Sequence, residues 1–269
     1  MQRPNIQRLL DIMARLRTPE DGCPWDIEQT FTTIAPHTIE ETYELVEAIE
    51  NDDPKAIKEE LGDVLFQVVF HAQMGREAGL FDFESVAGYV ADKMVERHPH
   101  VFGDRDAKTA HDVLVNWEKD KAEKRSAGAS KDGYAPSALD GVSLALPAST
   151  RAIKLQKRAA RVGFDWDKAE DVLAKIREEI NELEAERTQK KPKAFLEDEL
   201  GDVFFAVTNL ARKLDIDPET ALRRTNKKFE RRFRAIEKAL AARGKTPADA
   251  TLDEMEALWN AAKAEEKKS

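Results

Sequence analysis

Residues 59–75 read EELGDVLFQVVFHAQMG, and the reading of that stretch decides the fold. Taken alone, residues 64–70 (VLFQVVF) have the β-branched and aromatic composition of a buried strand. The lead-in KAIKEELGD is acidic and helical, and the chain runs on into HAQMGREAG without a turn signal, so the stretch reads as a buried helix. No strand alternation stands out elsewhere in the 269 residues. Glycine and proline number only 12 and 11, and 35% of residues are charged, which suits amphipathic helices with solvated faces. The expectation is an all-α protein.

Working outward, the acids at the head of this stretch belong to a larger pattern that occurs twice. Glu40-Glu41-x-x-Glu44 precedes Glu60-Leu-Gly-Asp63, and Glu178-Glu179-x-x-Glu182 precedes Glu199-Leu-Gly-Asp202. Each copy opens into an apolar run, VLFQVVF in the first and VFFAV in the second. Trp25-Asp26 and Trp166-Asp167 stand before the two copies, and residues 115–126 resemble residues 257–269. A whole helical unit is therefore duplicated. Residues 126–149 (SAGASKDGYAPSALDGVSLALPAS) are rich in Ser, Ala, Gly and Pro and lack periodic apolar positions. The expected organisation is an N-terminal domain over 1–126, a linker over 127–147 and a C-terminal domain over 148–269, the likelier seat of catalysis in the resemblance set out below.

Within the first domain the periodicity predicts a helix from Ile6 to Arg17, a loop over TPEDGCPWDIEQTF, and a helix capped by Thr38 with Glu41 completing a capping box. The apolar stripe of that helix is Ile39, Leu45, Val46 and Ile49. Pro54 starts the next helix, and further helices are expected over 83–97 and near 111–125, with the pattern resuming at about Thr150.

Glu41 and Glu44 share one helix face, as do Glu60 and Asp63 on the next helix, and antiparallel packing converges the four carboxylates. Glu179, Glu182, Glu199 and Asp202 repeat the arrangement. Carboxylates beside buried faces are costly unless a cation holds them. An all-oxygen set suits Mg²⁺, with Mn²⁺ as a substitute, and Mg²⁺ commonly takes its remaining ligands from substrate phosphates. A carboxylate left free of metal then orients or deprotonates water. The catalytic candidates are Glu178, Glu179, Glu182, Glu199 and Asp202, and Glu41, Glu44, Glu60 and Asp63 form a possible second metal site. Gly62 and Gly201, each beside an acid inside a helix, suggest close packing or room for a ligand. A ferritin-like di-iron site is disfavoured, because it needs Glu-x-x-His motifs and the second copy has no histidine near its acids.

Lys175 lies four residues before Glu179, on the same face. Lys228, Arg231 and Arg232, in TNKKFERRFR, are candidates for triphosphate contacts or for a solvated basic face. Trp259 either stacks on a base or anchors the tail helix. The net charge of −9 and pI near 5.3 argue against nonspecific nucleic-acid binding. Cys23 is the sole cysteine, so no intramolecular disulfide exists, and it reads as structural or incidental. The N-terminus lacks a signal-peptide pattern and no run approaches the ~18 apolar residues of a membrane span, so a cytoplasmic protein is expected.

The stretches CPWDIEQT, IEETYELVEAI, EELGDVLFQVVFHA, ERHPHVFGD, LDGVSLALP, KLQKRAARVGFDW, EDELGDVFFAVTNLAR and NKKFERRFR together resemble the MazG family of nucleoside triphosphate pyrophosphohydrolases over nearly the full length. The resemblance implies two all-α MazG domains per chain and a homodimer. It implies Mg²⁺-dependent hydrolysis of ribo- and deoxynucleoside triphosphates to the monophosphate and pyrophosphate, in nucleotide-pool control. By motif it assigns Glu179, Glu182, Glu199 and Asp202 to Mg²⁺, and Lys175, Lys228, Arg232 and Trp259 to the nucleotide. The chain departs from the pattern at Phe31, His37 and Phe195. Two other readings stay open: metal–nucleotide binding without turnover, and catalysis in the N-terminal copy.

Overall fold

A computed structural model describes residues 4–103, 109, 112–113 and 137–266. The chain divides into two compact units, Met1–Lys119 and Asp120–Ser269. Among the described residues all regular structure is helical. The expected helix near 111–125 and most of the expected linker lie outside the described residues; residues 137–147 form turns.

In the first unit, α1 (Asn5–Leu16) carries the amphipathic N-terminal pattern and packs on α4 (Pro54–Glu77). The segment expected to be loop contains a short helix, α2 (Pro24–Glu28), because Pro24 sits at its first turn and the Arg17 guanidinium caps the carbonyls of Asp26 and Gln29. The next helix, α3 (Phe31–Glu50), starts seven residues before the expected Thr38 cap. Thr30 is the cap: its hydroxyl accepts the Thr33 N–H at 3.3 Å, and Thr33 Oγ1 accepts the Thr30 N–H at 2.8 Å. That closed box carries the helix through Pro36, which forfeits one backbone hydrogen bond.

Asp53 caps α4 through the N–H groups of Lys55 and Ala56, with Pro54 at the first position as expected. The decisive stretch 59–75 lies wholly inside α4, so the helix reading holds and the strand reading fails. Val69, Phe70 and Met74 meet Met13 and Ile34 in the core, flanked by Leu9, Leu10, Leu16, Phe66 and Phe83. Two members of the expected α3 stripe, Ile39 and Ile49, are instead more than half exposed, and Ile34 and Ala48 take the buried positions. Among the described residues the main packing partner of α3 is α4, and that contact needs a single face. α5 (Phe83–Arg97) matches its expected bounds, and α6 (Pro99–Phe102) follows.

The second unit repeats the plan. α7 (Ala148–Arg161) packs on α9 (Lys193–Lys213), which pairs along its length with α8 (Ala169–Thr188). α10 (Pro218–Ala241) packs on α11 (Leu252–Glu265) and on α7. Val172, Ala206, Ile236 and Leu240 are its buried apolar residues. Asp165, before α8, bonds Lys213 Nζ at 2.8 Å and also meets Arg212, tying the Gly163–Trp166 turn to the end of α9. No helix among the described residues is long and apolar enough to cross a membrane.

Candidate metal and nucleotide site

The paired helices α8 and α9 bring carboxylate oxygens of Glu179, Glu199 and Asp202 within 4.8 Å of one another, and α3 and α4 do the same for Glu41, Glu60 and Asp63. Octahedral Mg²⁺ with oxygens at roughly 2.1 Å separates its ligand atoms by about 3–4 Å, so both triads fit one small hard cation. Glu44 and Glu182, the fourth acids expected, lie outside the triads but are coupled to them. Glu182 is raised above the usual carboxylate range first by a hydrogen bond to Glu179, then by burial. Glu44 contributes charge that raises both Glu41 and Glu60.

The electrostatics carry the signature of crowded acids. Burial and the neighbouring charges of Asp63, Glu44 and Glu60 push the Glu41 carboxyl up. Glu60 is raised by burial and by Glu44 and Asp63, and Glu199 by burial and by Asp202 and Glu179. Each shift comes first from burial and then from the like charge of neighbouring acids.

The two copies differ in their own cation. Lys175 Nζ lies 2.8 Å from carboxylate oxygens of both Glu178 and Glu179, and Glu179 is only 6% exposed. Hydrogen bonds to Glu178 and then Glu179 raise the Lys175 ammonium well above its ordinary value, so it is charged throughout the physiological range. The same register in the first copy holds His37, which is 3.4 Å from Glu40 and edge-on to Trp25.

The other basic candidates sit on α10 and α11. Arg231 and Arg232 converge on the Glu266 carboxylate, with closest approaches of 2.6 and 2.7 Å. The Arg232 guanidinium lies 5.2 Å over the Trp259 ring, and Phe229 closes on the same ring at 5.4 Å. The two guanidiniums therefore grip a carboxylate beside an aromatic platform. Lys228 is exposed one turn before Arg232. At the departure noted for Phe195, Lys191 stands 5.2 Å over its ring, while Lys193 is engaged by Glu197 at 2.9 Å.

Gly62 and Gly201 show that close packing within the chain is not their role. A Cβ at either position meets nothing within 4 Å, so the open-space half of the expectation is the one the structure supports. The sequence reading missed a polar layer next to the first triad. Thr38 Oγ1 meets Gln67 Oε1 at 3.2 Å and His71 Nε2 at 3.1 Å, and Phe31 lies parallel to His71. The spacing Asp63–Gln67–His71, four residues each, was the available signal.

The MazG nucleotide pyrophosphohydrolase domain model matches residues 29–102 and 168–236, taking in both triads. The chain is 50% identical over 262 residues to the nucleoside triphosphate pyrophosphohydrolase of Escherichia coli K12, covering 97% of this chain and 98% of that one. It is 41% identical over 258 residues to the Thermotoga maritima nucleoside triphosphate pyrophosphohydrolase/pyrophosphatase MazG, covering 96% and 95%. It is also 45% identical over 259 residues to the uncharacterized protein YabN of Bacillus subtilis, covering 96% of this chain and 51% of that protein.

Proposed function

This chain belongs to the family of MazG nucleotide pyrophosphohydrolase domains, and on that premise we propose that it hydrolyses nucleoside triphosphates to the monophosphate and pyrophosphate at the Glu179/Glu199/Asp202 triad. The observation that carries the reading is that triad: three converging oxygen donors with a fixed ammonium, Lys175, against the buried member. The same set in the N-terminal copy has His37 where Lys175 stands, which favours the C-terminal copy as the seat of turnover.

Mg²⁺, or Mn²⁺ in its place, supplies Lewis-acid polarisation of the phosphates and neutralises their charge. Glu179, Glu199 and Asp202 hold the cation. Glu182 either adds a fourth oxygen to it or accepts the proton of the attacking water. Glu178 holds Lys175 toward the phosphates. Water adds at phosphorus of the α–β anhydride, the bridging P–O bond breaks, and the monophosphate and pyrophosphate depart. Lys228, Arg231 and Arg232 bind the triphosphate, displacing Glu266, whose carboxylate already occupies an anion's place beside Trp259. Trp259 takes the base. That set reads neither a base edge nor a 2′-hydroxyl, in keeping with acceptance of both ribo- and deoxynucleotides and a role in nucleotide-pool control; the compartment that goes with it is the cytoplasm.

Each domain, 1–126 and 148–269 around the linker 127–147, supplies one acid-bearing helix pair. The outer faces of those pairs carry Ile39, Leu61 and Val68 in the first, and Ile180, Leu200 and Phe204 in the second, all exposed. A homodimer in which a second copy covers these faces accounts for them, since a two-helix pair does not bury its own apolar surface.

Incubation with ATP and Mg²⁺, with products resolved by phosphorus NMR, tests the reading. AMP with pyrophosphate is expected; ADP with free phosphate overturns it.

A further inference from the structure

Glu266 stands where helix electrostatics oppose an acid. It follows the last residue of α11, at the negative end of the helix dipole, with its own N–H on the Ala262 carbonyl. What holds its side chain is the arginine pair of α10. Arg232 donates Nε at 2.9 Å and Nη2 at 2.7 Å to Oε2, while Arg231 donates Nε at 2.7 Å and brings Nη2 to 2.6 Å from Oε1. Two guanidinium edges therefore enclose one carboxylate, the geometry in which arginine also takes a phosphate. Hydrogen bonds from Arg232 and then Arg231 hold the Glu266 carboxyl below the usual range, so it is an anion at neutral pH.

The clamp has supports besides the acid. The Arg232 side chain is only 13% exposed and its guanidinium rests over the Trp259 ring, which Phe229 backs. That stacking keeps the guanidinium in place when the carboxylate leaves. The Arg231 side chain is 62% exposed and that of Glu266 25%, so the contact opens toward water at the modest cost of a partly exposed ion pair. While Glu266 is seated, it spares the mostly buried Arg232 from standing as an uncompensated charge. A phosphate brings more charge and more acceptor oxygens to the same four N–H groups, which favours the exchange.

We propose that Glu266 is a built-in competitor of the triphosphate: its carboxylate closes the Arg231/Arg232 clamp in the free protein, gives way when the phosphates enter, and returns as they leave. A competitor carried on the chain acts at an effective concentration on the order of millimolar, so it lowers the affinity for every ligand that needs the clamp. The acid thereby sets how tightly the site holds both substrate and product. The inference rests on the reading of Lys228, Arg231 and Arg232 as triphosphate contacts and adds the group that regulates them.

The test titrates the full-length chain with the α,β-methylene analogue of ATP in Mg²⁺, which resists cleavage between the α and β phosphates. Glu266→Gln keeps the side chain's length and removes its charge, and should tighten binding by about fivefold, the scale of one partly exposed ion pair. Glu266→Ala should act in the same direction and serves if Glu266→Gln does not fold. Glu230→Gln removes an acid beside Arg231 that pairs with Arg234 at 3.5 Å, and should change affinity by no more than about 1.5-fold, since an exposed charge is screened. Arg231→Gln with Arg232→Gln should weaken binding by about tenfold or more and abolish the gain from Glu266→Gln. If the arginine substitutions weaken binding while Glu266→Gln leaves it unchanged or weakens it too, the carboxylate only positions the arginines and the proposal is overturned. An equal gain from Glu230→Gln reduces the effect to net charge and also overturns it. Arginine substitutions without effect, or no binding by the parent, sink the phosphate-contact reading itself and the proposal with it.

Discussion

Lys175 Nζ sits 2.8 Å from Glu179 Oε1, so the one buried acid of the C-terminal triad is neutralised by a cation one helical turn earlier on the same helix. In the proposed mechanism the ammonium holds the acids together before a divalent cation arrives and contacts phosphate afterwards. Lys175→Met is expected to lower the melting temperature of the metal-free protein, with Mg²⁺ restoring part of the loss. It should also lower kcat/KM by roughly tenfold or more, the scale of one charge-assisted hydrogen bond. Melting curves with and without Mg²⁺, set beside steady-state kinetics, separate the two effects.

Glu199→Ala and Asp202→Ala each remove one of three converging oxygens. Turnover should fall by about a thousandfold or more, with helical content by circular dichroism intact, since the cation and the phosphates it holds are lost together. Glu60→Ala should leave turnover within about threefold of the parent, because His37 rather than a lysine stands in its copy. The reverse pattern moves catalysis to the N-terminal copy.

The raised carboxyls fix the direction of a pH effect. Glu41, Glu60, Glu182 and Glu199 all bind protons more tightly folded than unfolded. In the window just above the ordinary glutamate value, the folded state holds more protons, so metal-free stability falls as pH rises through it and the cost is complete above it. Mg²⁺ removes that repulsion only while the acids are ionised. The melting-temperature gain from Mg²⁺ should therefore be largest near neutrality and shrink as pH falls toward that window. A gain that is flat or grows with acidity contradicts the triads as metal sites.

Asp165 tests the second unit's frame. Burial works to raise its pKa, yet hydrogen bonds from Lys213 and Arg212 prevail and leave it lowered. Its pairing is stabilising above the ordinary aspartate value and is lost as pH falls through the depressed one. Asp165→Asn leaves two mostly buried cations without their counter-charge and should cost about 2 kcal/mol, read by urea denaturation at neutral pH.

Gly201 stands in a helix with open space where a side chain would point. Gly201→Ala should stabilise an isolated chain by about 1 kcal/mol. If substrate or a second copy fills that space, the same substitution lowers turnover or weakens self-association. Sedimentation and kinetics on one sample decide between these.

Several features were legible in the sequence because they are local or periodic. The acidic lead-in and unbroken run of residues 59–75 identified α4, Asp53-Pro54 identified its start, and the spacing of the duplicated acids marked two sets of four carboxylates, three of which lie close together in each copy. The start of α3 was not legible, because Thr30–Thr33 forms a capping box without the usual acid and Pro36 lies where a helix is expected to end. Ile39 and Ile49 were misplaced because periodicity marks an apolar face without saying what covers it.

The sequence by itself determined the helical class, the repeat and the oxygen-donor chemistry, since these follow from residue types at fixed spacings along one helix. Only the tertiary structure decided which acids converge, that Lys175 is bound to Glu178 and Glu179, that Arg231 and Arg232 grip Glu266, and that Thr38, Gln67 and His71 share a layer. Those relationships depend on the axial offset between neighbouring helices. Caps, loop lengths and packing set that offset jointly, and no single spacing in the chain encodes it.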